Sequence, residues 1–236
     1  MADLIRYELE DGIATVTMDD GKANVMSVRM LKALDAALDQ TLADKAVLVL
    51  TGRERMFSGG FDLSVFQRDK QELLAMLTAG ARLTERVLAH PLPVVAACSG
   101  HAVAMGVFLM LCADVRIGID EGARTHINEV QNGMVLPRFA IEVSRHRLAP
   151  EHLNRALLLA TPHAPQQALA AGFFDSLAAP AALAEAARAE AVRLQKLHAG
   201  AFAATKALLH QRTLDALHAG IAQDLAGWSK AFGTTA

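Results

Sequence analysis

Cysteine is scarce in this chain, with only Cys98 and Cys112 among 236 residues. Two so far apart exclude a metal knuckle or a disulfide scaffold, and they read as reduced, buried thiols of a cytoplasmic protein. A surplus of one charge is also missing. Twenty-three lysines and arginines stand against 25 aspartates and glutamates, a formal net charge of −2. That leaves no electrostatic case for a nucleic-acid partner or an anionic membrane. The opening "MADLIRYELEDG" carries both signs of charge, so no signal peptide is expected. One long apolar run, "VVAACSGHAVAMGVFLMLCA" at 94–113, has the length of a spanning helix. Ser99-Gly100-His101 interrupts it, and Pro91 and Pro93 stand just before it. A strand, a turn and a buried helix account for it better than a membrane span. Fixed-period repeats, low-complexity tracts and linkers are absent too.

What is present is apolar material, 53% of residues and much of it alanine, in a chain long enough for one large domain. "IRYELEDGIATVTM" predicts a hairpin, with Asp11-Gly12 at its turn. Ser27 is placed to cap a helix whose apolar face is Leu31, Leu34, Leu38 and Leu42. "AVLVL" at 46–50, "PVVAACSG" from 93 and "DVRIGI" from 114 read as buried strands. Helices are expected at 71–89, stopping before Pro91, and over "MGVFLML". Strands separated by helices imply parallel pairing and an α/β class. Beyond about residue 150 the pattern turns helical. An alanine-rich stretch from 181 to 211 precedes another helix carrying Trp228.

Two bends carry the functional signal. "MFSGGFDLSVF" at 56–66 places Gly59 and Gly60 between apolar segments, and "SGHAVAMG" leads into the apolar helix near Met105-Gly106. Both are read as following buried strands of one sheet, where α/β proteins place ligands. Glycine admits positive φ and close approach of another group, and a helix start offers unpaired N–H groups. Two such donors converging from separate loops would form an oxyanion hole.

"FSGGFDL", "PLPVVAACSGHAVAMGVFLMLCADVRI" and "NEVQNGMVLP", in that order, resemble the crotonase family of enoyl-CoA hydratases and isomerases. The likeness covers residues 5 to about 140 well and the alanine-rich tail loosely. It implies a superhelix of ββα turns over 1–180 and a C-terminal helical oligomerisation region over 181–236. A homotrimer or dimer of trimers is implied, with an acyl-CoA thioester as substrate and no cofactor beyond its coenzyme A. The implied oxyanion donors are the backbone amides of Phe61 and Met105, and the implied base is Glu129. Ser58, Gly59, Gly60, Asp62, Leu63, Gly106, Phe108 and Lys206 are the implied substrate-binding positions, Lys206 approaching the coenzyme A phosphates. No metal is implied.

One departure is informative. Where hydratases of the family carry the first of two glutamates, this chain has Phe108. A single base beside an oxyanion hole favours moving a double bond over adding water, with 2-enoyl-CoA hydration and acyl-CoA binding with little turnover as the rivals. The family's glycines after the glutamate motif are replaced by "RFAIEVSRHR", which alters the acyl end of the pocket. Phe57, Phe61, Phe66 and Phe139 are candidate pocket walls. His101 and His126 are candidate proton-transfer partners, with donation to a carbonyl their plainer role. Asp62 and Asp114 are expected in strand-end hydrogen bonds or ion pairs. Ser58 and Cys98 lack an evident histidine partner, which argues against a nucleophilic hydrolase.

Overall fold

The hairpin forms as expected in the computed structural model, which describes residues 4–232. Strands β1 (Ile5–Glu10) and β2 (Ile13–Met18) pair antiparallel. Asp11 and Gly12 join them at φ 50° and 72°, the double positive φ that matches strand twist in a two-residue turn. Helix α1 (Val28–Asp44) starts at Ser27, whose hydroxyl accepts the Met30 N–H at 3.2 Å. Leu31, Leu34 and Leu38 are buried, while Leu42 on the last turn reaches solvent. Then β3 (Val47–Gly52) pairs parallel with β2.

From here the chain repeats one unit three times. A long strand is followed by a short one and then a helix: β3, β4 (Arg55–Ser58) and α2 (Lys70–Leu88); β5 (Val94–Cys98), β6 (Gly100–Val103) and α3 (Met105–Leu111); β7 (Val115–Ile119), β8 (Thr125–His126) and α4 (Arg138–Arg147). The long strands join the hairpin in one sheet of order β1-β2-β3-β5-β7-β9, closed at its edge by β9 (Ser176–Ala178) beyond the short helices α5 (Pro150–Leu153) and α6 (Pro165–Ala171). The short strands form a separate three-stranded sheet, β4-β6-β8. The two bends therefore follow β4 and β6, paired neighbours in this small sheet, rather than the long strands β3 and β5. These strands run only four, four and two residues, too short for alternation to show in the sequence. Their crossing points demand glycine. A Cβ on Gly100 would lie 1.8 Å from the Arg55 carbonyl carbon.

Two cores result. The larger lies under α1, α2, α3 and α4, and is dominated by Leu, Met and Phe. The smaller covers the other face of the large sheet, where Ile13, Val47, Val49, Val95 and Ile117 meet α7 (Leu183–Gln195). Ala187 and Ala191 on that helix are small enough for its axis to lie close to the strands. The alanine-rich stretch is not one helix. It breaks at 196–198, and α8 (Ala199–Phe232) then runs unbroken through Trp228. His198 marks the restart, its Nδ1 accepting the Ala201 N–H at 3.1 Å. Cys98 and Cys112 are free and buried. Among the described residues no helix is long and apolar enough to cross a membrane; the run at 94–113 becomes β5, β6 and α3.

Candidate active-site cleft

The two bends meet. Gly59 N–H donates to Ala23 O at 2.7 Å, Gly60 N–H reaches Ser58 Oγ at 3.2 Å, and Gly60 O accepts from Met26 N at 2.8 Å. On the other bend Ala104 N–H donates to His126 O at 2.9 Å. The next amides along, those of Phe61 and Met105, have no acceptor among the described residues. Met105 opens α3, so its N–H is one of the donors a helix start leaves over. Gly60, at φ 91°, lies where a Cβ would be 2.8 Å from Ala104 Cβ and 3.4 Å from Met105 N. Gly106 is equally constrained, since a Cβ there would meet Ser58 Cβ at 2.6 Å. Ala104 itself sits at φ 49° and ψ −121°, a conformation that favours glycine and costs about 1–3 kcal/mol. The packing of α3 against β4 holds it there. Strain of this kind collects where geometry matters to function.

Glu129 lies on the loop between β8 and α4, in a turn fixed by Met134 N–H and Asn132 N–H donating to its carbonyl at 2.8 and 3.0 Å. It is 7% exposed, and its Oε2 is buried with no partner among the described residues. Burial raises its pKa from 4.5 to about 7, against weaker opposition from local backbone N–H groups. A buried carboxylate without an ion pair is costly and uncommon.

A cleft of about 310 Å³ joins these features. Gly59, Phe61, Ala104 and Glu129 line it together with the apolar side chains of Leu77, Phe108, Phe139, Trp228 and Phe232. Leu63, 59% exposed, and Val135, 92% exposed, stand at its rim. Phe61 finds room because Gly80 of α2 lacks a side chain; a Cβ there would lie 2.6 Å from the ring. Asp62 shapes the same loop, its carboxylate accepting from Ser64 N and Ser64 Oγ at 3.0 and 2.7 Å.

Several side chains lie elsewhere than the sequence reading put them. Ser58 is fully buried and donates to Asn24 O at 2.7 Å, so its hydroxyl braces the bend and faces no ligand. Lys206 does not point toward a phosphate site. Its ammonium is buried, 2.8 Å from Asp114 Oδ2 and 5.7 Å from the Phe202 ring centre, and burial lowers its pKa. Asp114 also accepts Val94 N–H at 2.9 Å, the strand-end role expected of it. His126 Nε2 bonds Ala160 O at 2.8 Å, and His101 Nδ1 accepts Arg124 N–H at 3.1 Å; neither lines the cleft. Phe57 is a core residue, whereas Phe61, Phe66 and Phe139 do line the cleft. The sequence reading missed Trp228, Phe232, Asn128 and Asn132 as lining residues. One signal was available for the first. Leu217, Ile221, Asp224 and Trp228 fall on one stripe of α8, an acid among apolar neighbours.

Comparison with known proteins agrees with this architecture. The family model described as enoyl-CoA hydratase/isomerase matches residues 8–235. A crystal structure of an enoyl-CoA hydratase/isomerase family protein from Pseudomonas syringae is 40% identical, with TM-score 0.93 over 95% of this chain and 97% of its own. A Mycobacterium tuberculosis protein, described in one structure as an enoyl-CoA isomerase and in another as a probable enoyl-CoA hydratase, is 40% identical in the former, with TM-score 0.92 over 96% and 99%. An enoyl-CoA hydratase from Mycobacterium marinum is 38% identical, with TM-score 0.91 over 98% and 100%. Ordered motifs, the repeated ββα unit and these likenesses converge: the chain has the crotonase fold and belongs to the enoyl-CoA hydratase/isomerase family.

Proposed function

We propose that the protein is an enoyl-CoA isomerase that moves a double bond from C3 to C2 of an acyl-CoA thioester, with Glu129 as its one acid–base group. The observation that carries this reading is the Glu129 carboxylate, buried without an ion pair and with Oε2 unpartnered, in a cleft where Phe108 is fully buried and apolar. Glu129 takes a proton from C2, which the thioester acidifies. The electron pair spreads over the dienolate, whose oxygen accepts from the Phe61 and Met105 amides. The same proton returns to C4, leaving the C2–C3 double bond, so no water, oxidant or cofactor is consumed beyond the coenzyme A of the substrate. Each backbone donor aimed at the developing charge is worth about 10²–10³-fold in rate. A carboxyl group with a pKa near 7 suits both halves of the transfer.

Hydration of a 2-enoyl-CoA is the second reading, supported by relatives that carry the hydratase name. Ultraviolet absorbance separates the two. The full chain is given a 3-enoyl-CoA and a 2-enoyl-CoA in separate assays. Conjugation of the first without loss of the second supports isomerisation, and loss of the second supports hydration. Binding of both without change would sink both enzymatic readings. We further infer a cytoplasmic homotrimer or dimer of trimers. Leu158 and Leu159, 62% and 71% exposed, supply apolar surface such an assembly would cover. Light scattering on the purified chain tests the assembly.

A further inference from the structure

The far end of the cleft is built by a different part of the chain from the near end. Phe108 lies one turn along α3 from Met105. Its ring meets Phe139 edge-on at 6.0 Å between centroids, and Phe139 meets Trp228 edge-on at 6.4 Å. Three rings therefore run from the bend to α8, and Phe232 stands one turn beyond the last. The first turn of α4 begins at Pro137 with no side-chain cap of its own. Its missing acceptor comes from α8, where buried Asp224 accepts the Phe139 N–H at 3.0 Å and lies 3.5 Å from Arg138 Nη1. Gly220, one turn earlier, lets the helices approach, since a Cβ there would be 3.1 Å from Arg138 Cβ. Asp224 thus holds the backbone of one wall residue from one turn before the other. That fixes Phe139 and Trp228 relative to each other.

We propose that Trp228, held edge-on against Phe139 through the Asp224 cap, ends the acyl cleft and sets the longest chain the protein accepts. Trp228 is the specificity-determining side chain, and Asp224 is a positioning residue that acts through it. The inference rests on reading the cleft as an acyl-thioester site.

Trp228 is the only tryptophan of the chain, so its emission reports on the wall directly. Saturated esters, which bind without reacting, would be titrated into the full chain from butanoyl-CoA through hexanoyl-, octanoyl- and dodecanoyl-CoA to hexadecanoyl-CoA. Free coenzyme A is the control. Calorimetric affinity should climb roughly fourfold per added methylene and stop climbing at one length. Trp228 emission should shift at that same length and stay unchanged with free coenzyme A and butanoyl-CoA. In Trp228→Ala, or Trp228→Leu if the alanine variant folds poorly, the climb should continue past the break. Asp224→Asn, which keeps an oxygen for the Phe139 N–H, should retain the break, and Asp224→Ala should move it to longer chains. A break at the parent length in both Trp228 variants, or an emission shift with free coenzyme A, overturns the proposal. Absence of binding by every ester overturns the acyl-thioester reading itself, and this inference with it.

Discussion

The two ends of the cleft are made of different materials. At the bend end the working groups are peptide amides, placed by glycines within a few residues of them in sequence. At the α8 end they are side chains, placed by a hydrogen bond between residues 85 apart in the chain. Backbone donors tolerate almost any side chain that leaves the local conformation alone. Side-chain walls tolerate almost any backbone that brings the right rings together. The first end should therefore be sensitive to glycine and indifferent to the residue bearing the amide, and the second sensitive to the ring side chains themselves.

The largest effect expected is at the one side chain the bend end does use. Glu129→Gln removes the proton carrier and should lower kcat by about 10³-fold or more, near the upper range for a general base. Affinity for a saturated CoA ester should stay within about threefold. Turnover close to the parent's would mean the base is elsewhere. Next in size is Gly60→Ala, which must give up φ 91° or push into Ala104 Cβ and Val103 O. It should cost about 10²-fold in kcat by re-aiming the Phe61 amide. Met105→Leu, with the same amide and a similar volume, should cost less than about tenfold. Equal losses in the two variants would break the rule that the bend end depends on its glycines and not on the side chain bearing the amide.

The same distinction explains what could be read from the sequence. The hairpin, the Ser27 cap, the buried long strands and both glycine bends are local patterns, and all were legible. The small sheet was not, because β8 is a two-residue strand and β4 and β6 are scarcely longer. Nor was the role of Ser58 or Lys206. A motif fixes where a residue falls along the chain, but its partners decide what its side chain does. Ser58 finds Asn24 O, and Lys206 finds Asp114, 92 residues away. Trp228 was visible only as part of an apolar stripe with Asp224 on a helix, since nothing near it in sequence says that α4 lies beneath.

Lys206 offers a test of moderate size. Placed at a phosphate, its loss would raise KM and leave stability alone. Paired with Asp114 in the interior, its loss strands a largely buried carboxylate. Lys206→Met should then cost about 3–5 kcal/mol of stability and leave KM for the CoA ester within about twofold. Denaturant melts and initial rates on the same sample decide between the two.

The smallest expected effect is also the one that ties stability to chemistry. Folding raises the Glu129 pKa from 4.5 to about 7, so the folded state holds this proton more tightly than the unfolded chain does. The stability it confers is complete below about pH 4.5 and is lost as pH rises through 7. At about 1.4 kcal/mol per pKa unit the whole loss is roughly 3 kcal/mol. Glu129→Gln cannot ionise. Its stability relative to the parent should therefore grow by about 2–3 kcal/mol from about pH 5 to about pH 8, read from denaturant midpoints. Catalysis runs the opposite way, because the base must be ionised, so parental kcat/KM should rise with pH through the same value near 7. A rate profile centred well away from the pH at which the stability difference levels off would mean that the carboxylate burdening the fold is not the one moving the proton.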